Sequence, residues 1–294
     1  MANPAENNVK NESPAQENKM GVMPVGKLLF TMSLPIMISM LVQALYNVVD
    51  SMFVARVSEN ALTALSMAFP IQNLMIAVST GLGVGLNAVL SRALGAKDEK
   101  GVNRAATNGI MLLFICGLVF MLGGATLVRP YFEMQTDIEE IVTSGIDYTS
   151  IVMMGSMGVF MQILFERLLQ STGRTMLTMF SQGVGAIINI IFDPIFIFGY
   201  FGFPKMGVAG AAYATILGQW VAALLGLILN IRKNPEVSIN MKGFRPHGAT
   251  IRLILSIGIP SVVMQSIGSV MTFLMNQILI AFSSTAVAVF GVYF

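Results

Sequence analysis

Two aspartates stand inside stretches of sequence that are otherwise apolar. Asp50 lies in Gln43-Ala44-Leu45-Tyr46-Asn47-Val48-Val49-Asp50-Ser51-Met52, and Asp193 in Asn189-Ile190-Ile191-Phe192-Asp193-Pro194. A carboxylate in a helix that crosses a bilayer costs about 2.5 to 3.5 kcal/mol even on the lenient insertion scale. Each acid is therefore expected to face a bundle interior or a water-filled cavity rather than lipid. Asn189 precedes Asp193 by one helical turn and shares its face. With spans running alternately outward and inward, Tyr148 and Thr215 fall at the depth of the two acids, in the outer half. Two acids, an amide and two hydroxyls form a candidate site for a proton or for a hard cation such as Na+, which is held by oxygen ligands. Two carboxylates in one low-dielectric pocket do not both ionise comfortably, so the pair is suited to bind and release a proton. The alternative is that the acids are fixed hydrogen-bonding glue between helices. Pro194 lacks an N–H, which frees a backbone carbonyl and predicts a local opening of the helix beside these side chains.

The elements that must hold these residues follow from composition. The chain has 294 residues, 55% hydrophobic and only 11% charged, with a mean hydropathy of +0.74, whereas soluble domains are about 25% charged. Its apolar runs are long and continuous rather than short and alternating, so the fold class is all-α polytopic membrane protein and not a β-barrel. The predicted spans cover residues 28–57, 62–90, 106–128, 141–165, 176–200, 208–231 and 251–282, with part of an eighth helix at the end. A net charge of +2 gives no reason to expect a nucleic-acid partner. Cys116 is alone in an apolar run and His247 alone in a polar loop, so neither a disulfide framework nor a metal site is expected. Glu166 reads as an interface ion pair with Arg167, and Gly81-Leu82-Gly83-Val84-Gly85 as a close-packing segment rather than a nucleotide loop.

Residues 1–23 read as a disordered cytoplasmic tail, 24–232 as a six-helix lobe, 233–248 as a cytoplasmic inter-lobe loop and 249–294 as the start of a second lobe. Lys97, Lys100, Arg104, Arg174, Arg232, Lys233, Lys242 and Arg245 fall in alternate connections, opposite Arg56, Arg129 and Lys205. This asymmetry predicts a cytoplasmic N-terminus. Setting Pro35 against Pro260 aligns two Pro-kinked spans separated by six helices, a parallel repeat. The second lobe has only begun at Phe294, so the sequence is expected to be part of a longer two-lobed polypeptide.

The segment from Leu41 to Val54, Gly81 to Gly85 with Ser91-Arg92-Ala93-Leu94-Gly95, and Asn189 to Pro194 together resemble the MATE family, the multidrug and toxic compound extrusion transporters, in particular its bacterial MepA-like and DinF-like branch. The resemblance implies a 6+6 helical fold around a central cavity in the bacterial inner (cytoplasmic) membrane, monomeric when complete. It implies a secondary-active antiporter that exports small cationic or amphipathic drugs in exchange for H+ or Na+, with no other cofactor. Cation coupling is then carried by Asp50, Asn189, Asp193 and Thr215, with Tyr148 beside them. Gln43, Tyr46, Asn47, Gln72 and Gln265 are the candidate substrate-cavity residues. The 23 methionines and 19 phenylalanines suit a cavity that repacks around varied apolar ligands. A lipid or polysaccharide flippase of the same superfamily, or a lobe that does not transport by itself, are the competing readings. No paired His, His-Glu-x-x-His or Ser-Lys arrangement suggests an enzyme.

Overall fold

Three side chains mark where helices begin. Ser58 Oγ accepts from Ala61 N, Asp98 Oδ1 from Gly101 N and His247 Nδ1 from Thr250 N, each satisfying a donor that the first helical turn leaves without a partner. The computed structural model describes residues 19–237 and 245–293. The short turn α1 (Lys19–Val22) precedes α2 (Val25–Ala55), α3 (Glu59–Gly95), α4 (Glu99–Thr126), α5 (Val128–Glu133), α6 (Glu139–Met154), α7 (Ser156–Ser171), α8 (Thr175–Phe198), α9 (Val208–Lys233), α10 (Gly248–Ile280) and α11 (Ser284–Tyr293). Among the described residues six helices are long and apolar enough to cross a membrane, and α6 with α7 make a seventh span bent by 45°. The chain is thus a multi-pass, all-helical membrane protein. Most of the expected tail, residues 1–18, and residues 238–244 of the expected loop lie outside the described residues.

The fourth span is not the single helix expected from its apolar run. It breaks at Gly155, where the α6 ladder ends and Ser156 Oγ turns to donate to the Gly117 carbonyl of α4. Conversely, α8 runs without interruption through Pro194. The expected break there is absent, although Pro194 still leaves the Ile190 carbonyl without its i+4 donor.

Burial is inverted relative to a soluble bundle. On α2, Leu45, Val48 and Met52 are more than half exposed while Asp50 is 6% exposed. Such a surface is stable only where the surrounding solvent is itself apolar. Small residues let the helices approach closely. A Cβ on Gly85 would collide with the Ile254 carbonyl of α10, one on Gly81 would meet Val262, and one on Gly258 would lie 3.2 Å from the Gly81 carbonyl. The glycine string therefore acts as the packing surface between α3 and α10. Further along the same pair, Thr80 donates to Gln265 Oε1 (2.7 Å) and Asn276 Nδ2 to the Ser66 carbonyl (3.1 Å).

The two ends of the bundle are tied differently. At the end where α2 terminates, Ser58 and Asn60 bond Glu140, Thr285 bonds Glu59, and Tyr131 donates to the Met67 carbonyl. At the opposite end Asn230 and Asn234 donate to the Phe165 and Leu168 carbonyls, Arg174 pairs with Glu236, and the Asn108 amide oxygen accepts from His247 N. Replacing Gly85 by Ala should separate α10 from α3 and cost about 1 to 3 kcal/mol by overpacking. The check is cysteine cross-linking of a Thr80–Gln265 pair, in contact across α3 and α10, whose yield should fall sharply in the variant and be unaffected by Gly183→Ala, where an added Cβ meets open space.

Candidate functional site

The polar side chains of α2 recur at Ser39, Gln43, Tyr46 and Asp50, spacings of four, three and four that put all of them on one helix face. On α8 spacings of four, seven and four likewise put Thr178, Gln182, Asn189 and Asp193 on one face. The two helices pack against each other, and α9 lies alongside α8 at very short range, since a Cβ on Gly218 would be 2.6 Å from the Gly185 carbonyl. That approach brings Thr215 to Asn189. Asn189 Nδ2 donates to Asp193 Oδ1 and to Thr215 Oγ1, both at 3.3 Å.

Asp193 is fully buried, Asn189 and Asp50 nearly so. Asp50 lies close enough for its charge to act on both Asp193 and Tyr148. Three buried acceptors in this group, Asp50 Oδ1, Asp193 Oδ2 and Asn189 Oδ1, have no hydrogen-bond partner. Unpartnered acceptors in native cores are few, and each calls for a ligand, a water or a proton. The donor set, two carboxylates, one amide oxygen and the Thr215 hydroxyl, consists of hard oxygens and fits a proton or Na+ better than a softer metal.

The other sequence-derived positions distribute as follows. Tyr148 is buried on α6 and accepts from Gln72 Nε2 of α3 at 2.9 Å. Gln43 and Tyr46 line a cavity of about 170 Å³ that also reaches Asn189 and Thr215. Gln265 is bonded to Thr80 at the α3–α10 contact, and Asn47 points to the exposed side of α2. The structure thus gathers Asp50, Asp193, Asn189, Thr215, Gln43 and Tyr46 in one region and leaves Asn47 and Gln265 apart from them.

Glu166 departs from its expected place. It is buried, lines the same cavity and accepts from Gln162 Nε2 at 2.9 Å, while Arg167 donates instead to Gln170 Oε1 at 2.7 Å. Neighbouring residues on a helix do not face one another, which is why the sequence-adjacent acid and base do not pair. Gln162, Gln182 and Gln219 of the cavity wall were not singled out from the sequence. The signal for Gln162 is the spacing Gln162, Glu166, Gln170 on α7, a third polar stripe within an apolar span, and that for Gln182 is its four-residue spacing from Thr178 on α8.

Comparison with known proteins gives this arrangement a family. The MatE family model matches residues 35–195, more than half of the chain and the part that contains both acids. The probable multidrug resistance protein NorM of Thermotoga maritima is 28% identical over 95% of this chain and 59% of its own length. The multidrug export protein MepA of Staphylococcus haemolyticus is 28% identical over 91% of this chain and 59% of its own. A solved structure described as the inward-facing conformation of a multidrug resistance MATE family transporter of the MOP superfamily superposes with a TM-score of 0.81 at 30% identity, covering 90% of this chain and 60% of that one. The chain spans about three fifths of the length of the curated relatives it matches. With the family model matched across both buried acids, the chain belongs to the MATE family of membrane transporters.

Proposed function

We propose that the protein is a secondary-active multidrug antiporter that exports cationic and amphipathic compounds in exchange for H+ or Na+, with Asp50 as its principal coupling acid. One observation carries this reading: the three buried, unpartnered acceptors Asp50 Oδ1, Asp193 Oδ2 and Asn189 Oδ1. Each such acceptor costs about 1 to 3 kcal/mol when left bare, and a proton or a small cation among them offsets that cost. The names of the relatives, multidrug export and multidrug resistance proteins, support drug efflux as the work to which the ion is coupled.

The geometry suggests how coupling operates. With the pair ionised, repulsion between Asp50 and Asp193 and their hydration favour an arrangement of α2 and α8 that admits water or a cation. With the charge neutralised, the two helices can close upon one another without stranding a buried charge. An ion that binds one arrangement better shifts the population toward it. Closure of these helices changes the space available to a drug beside α2, so ion entry is linked to drug release. The basic ends of α3, α4, α9 and α10 support a cytoplasmic N-terminus in a bacterial inner membrane, and the protein is proposed to act as a monomer.

Replacing Asp50 by Asn should reduce drug efflux from cells expressing the complete protein to the level of cells without it, at unchanged protein abundance. Efflux at the wild-type rate would remove Asp50 from the coupling role. In inverted vesicles, drug uptake should respond to an imposed proton gradient or an imposed Na+ gradient. If neither gradient drives it, the antiport reading fails. Where Na+ is the driving ion, Asn189→Ala, which removes one neutral oxygen donor, should raise the half-saturating Na+ concentration about tenfold, the equivalent of about 1.4 kcal/mol for one bond to a charged partner.

A further inference from the structure

Glu166 is a buried carboxylate that the coupling site above does not use, and it sits at the far end of the cavity from Asn189 and Thr215. The cavity runs along α8 from Thr178 to Asn189, about 16 Å at roughly 1.5 Å per residue. Its volume of about 170 Å³ is roughly tenfold the 10 to 15 Å³ that holds one water, and below the roughly 300 Å³ of the smallest drug-sized pockets. It has room for a file of water molecules or a small ion, and not for an exported drug.

The wall of this cavity is suited to carrying protons. Tyr46, Gln43, Gln182 and Gln219 interrupt its apolar lining between Glu166 and Asn189, and Tyr46 stands within electrostatic reach of Asp50, Asp193 and Glu166 alike. Glu166 accepts one side-chain bond, from the neutral amide of Gln162, although an ionised carboxylate has about four acceptor sites. The charge beside it is Arg167 of its own helix, whose guanidinium is engaged by Gln170 and whose Nε is buried and unpartnered. Among the described residues, α3, α8 and α9 face the cavity with hydroxyls and amides and no further charge. Glu166 is thus neither locked in an ion pair nor open to bulk solvent. It lies near the end of the bundle where α7 meets the Thr172–Arg174 turn, the end that carries Arg92 and Arg232.

We propose that the Glu166 carboxyl is a second proton-binding group of this protein, which takes protons released by the Asp50 and Asp193 pair through the cavity and delivers them to the basic end of the bundle. The inference rests on the coupling role assigned to that pair. In each passage a protonated Asp50 or Asp193 gives its proton to a cavity water, and the hydronium ion so formed gives it to a Glu166 oxygen, leaving water and a neutral carboxylic acid. The acid then gives the proton to water at the basic end of the bundle, which restores the Glu166 carboxylate. No bond between heavy atoms forms or breaks, and no charge is left behind on Glu166 beyond the one it began with. The arrangement makes Glu166 a positioning and relay residue for the coupling site rather than a drug ligand.

Infrared difference spectroscopy of the protein reconstituted into lipid bilayers, following a rapid pH step, reads both parts of the proposal. Wild-type protein should show pH-dependent carboxyl bands that Glu166→Gln and Asp50→Asn remove separately. In Glu166→Gln the bands that depend on Asp50 and Asp193 should persist at equilibrium but appear about 10²-fold more slowly, the usual contribution of a positioned proton-transfer group, and Glu166→Asp should recover part of the rate. Gln182→Leu, which dries the cavity without touching Glu166, should slow the Asp50-dependent bands while leaving the Glu166 band in place. This second variant keeps the test open if Glu166→Gln folds poorly. Absence of any Glu166-dependent band, or Asp50-dependent bands at wild-type rates in both variants, overturns the relay. Failure of the coupling role itself is seen separately, as wild-type efflux by Asp50→Asn.

Discussion

Everything in this fold answers to the cost of placing polar groups in an apolar surround. The bilayer supplies no hydrogen bonds, so the backbone is helical almost throughout and side chains that need partners turn inward. Asp50 and Asp193 make the demand most sharply, since each must be held where another protein group, water or a cation can reach it. The inversion along α2 follows directly: Val48 and Met52 face out and Asp50 faces in. Ser39, Gln43 and Tyr46 of α2, Gln162, Glu166 and Gln170 of α7, and Thr178, Gln182 and Asn189 of α8 form one polar stripe on each helix, and the stripes meet in one cavity.

Bringing those stripes together requires short interhelical distances, and the sequence meets this with small residues. Gly210, Ala211, Ala212, Ala214, Gly218 and Ala222 line the buried face of α9. A side chain at Gly210 would strike the Phe196 backbone, and one at Gly218 or Gly185 the opposing helix. With no hydrophobic force to drive helix association inside lipid, close van der Waals contact of this kind supplies much of the attraction. It also sets the site, because the Asn189 amide reaches Thr215 only while α8 and α9 remain that near.

The span count, the inward-facing acids and the packing role of the Gly81 to Gly85 string could be read from the sequence, because each depends on local composition. The run of apolar residues gives a helix, a lone carboxylate in it gives an inward face, and clustered glycines give a close crossing. What could not be read depends on which helix meets which. The break at Gly155 leaves an apolar run unbroken in sequence and is fixed by a contact with Gly117 of α4. Glu166 beside Arg167 reads as an ion pair in the sequence, but adjacent residues on a helix point in different directions. Three-four spacing shows instead that Glu166 belongs with Gln162 and Gln170. Pro194 differs in the same way: its missing donor is visible in the sequence, while the continuity of α8 through it is not.

One helix connects the site to the remainder of the molecule. α3 contributes Gln72 to the Tyr148 hydroxyl near Asp50, Thr80 to the cavity wall, and Gly81 and Gly85 to the crossing with α10. These contacts lie within four turns of each other on a single rigid element. A shift at the acid pair that moves Tyr148 therefore pulls on Gln72, and any resulting displacement of α3 is transmitted to α10 through a contact with no side-chain cushion, backbone against backbone at Gly85 and Gly258. Flexible side chains at that crossing would absorb movements of a few tenths of an ångström; glycines cannot, because tightly packed groups transmit strain rather than dissipate it. The close glycine crossing is thus both what holds α10 against the lobe and the stiff link by which ionisation of Asp50 and Asp193 can reach it.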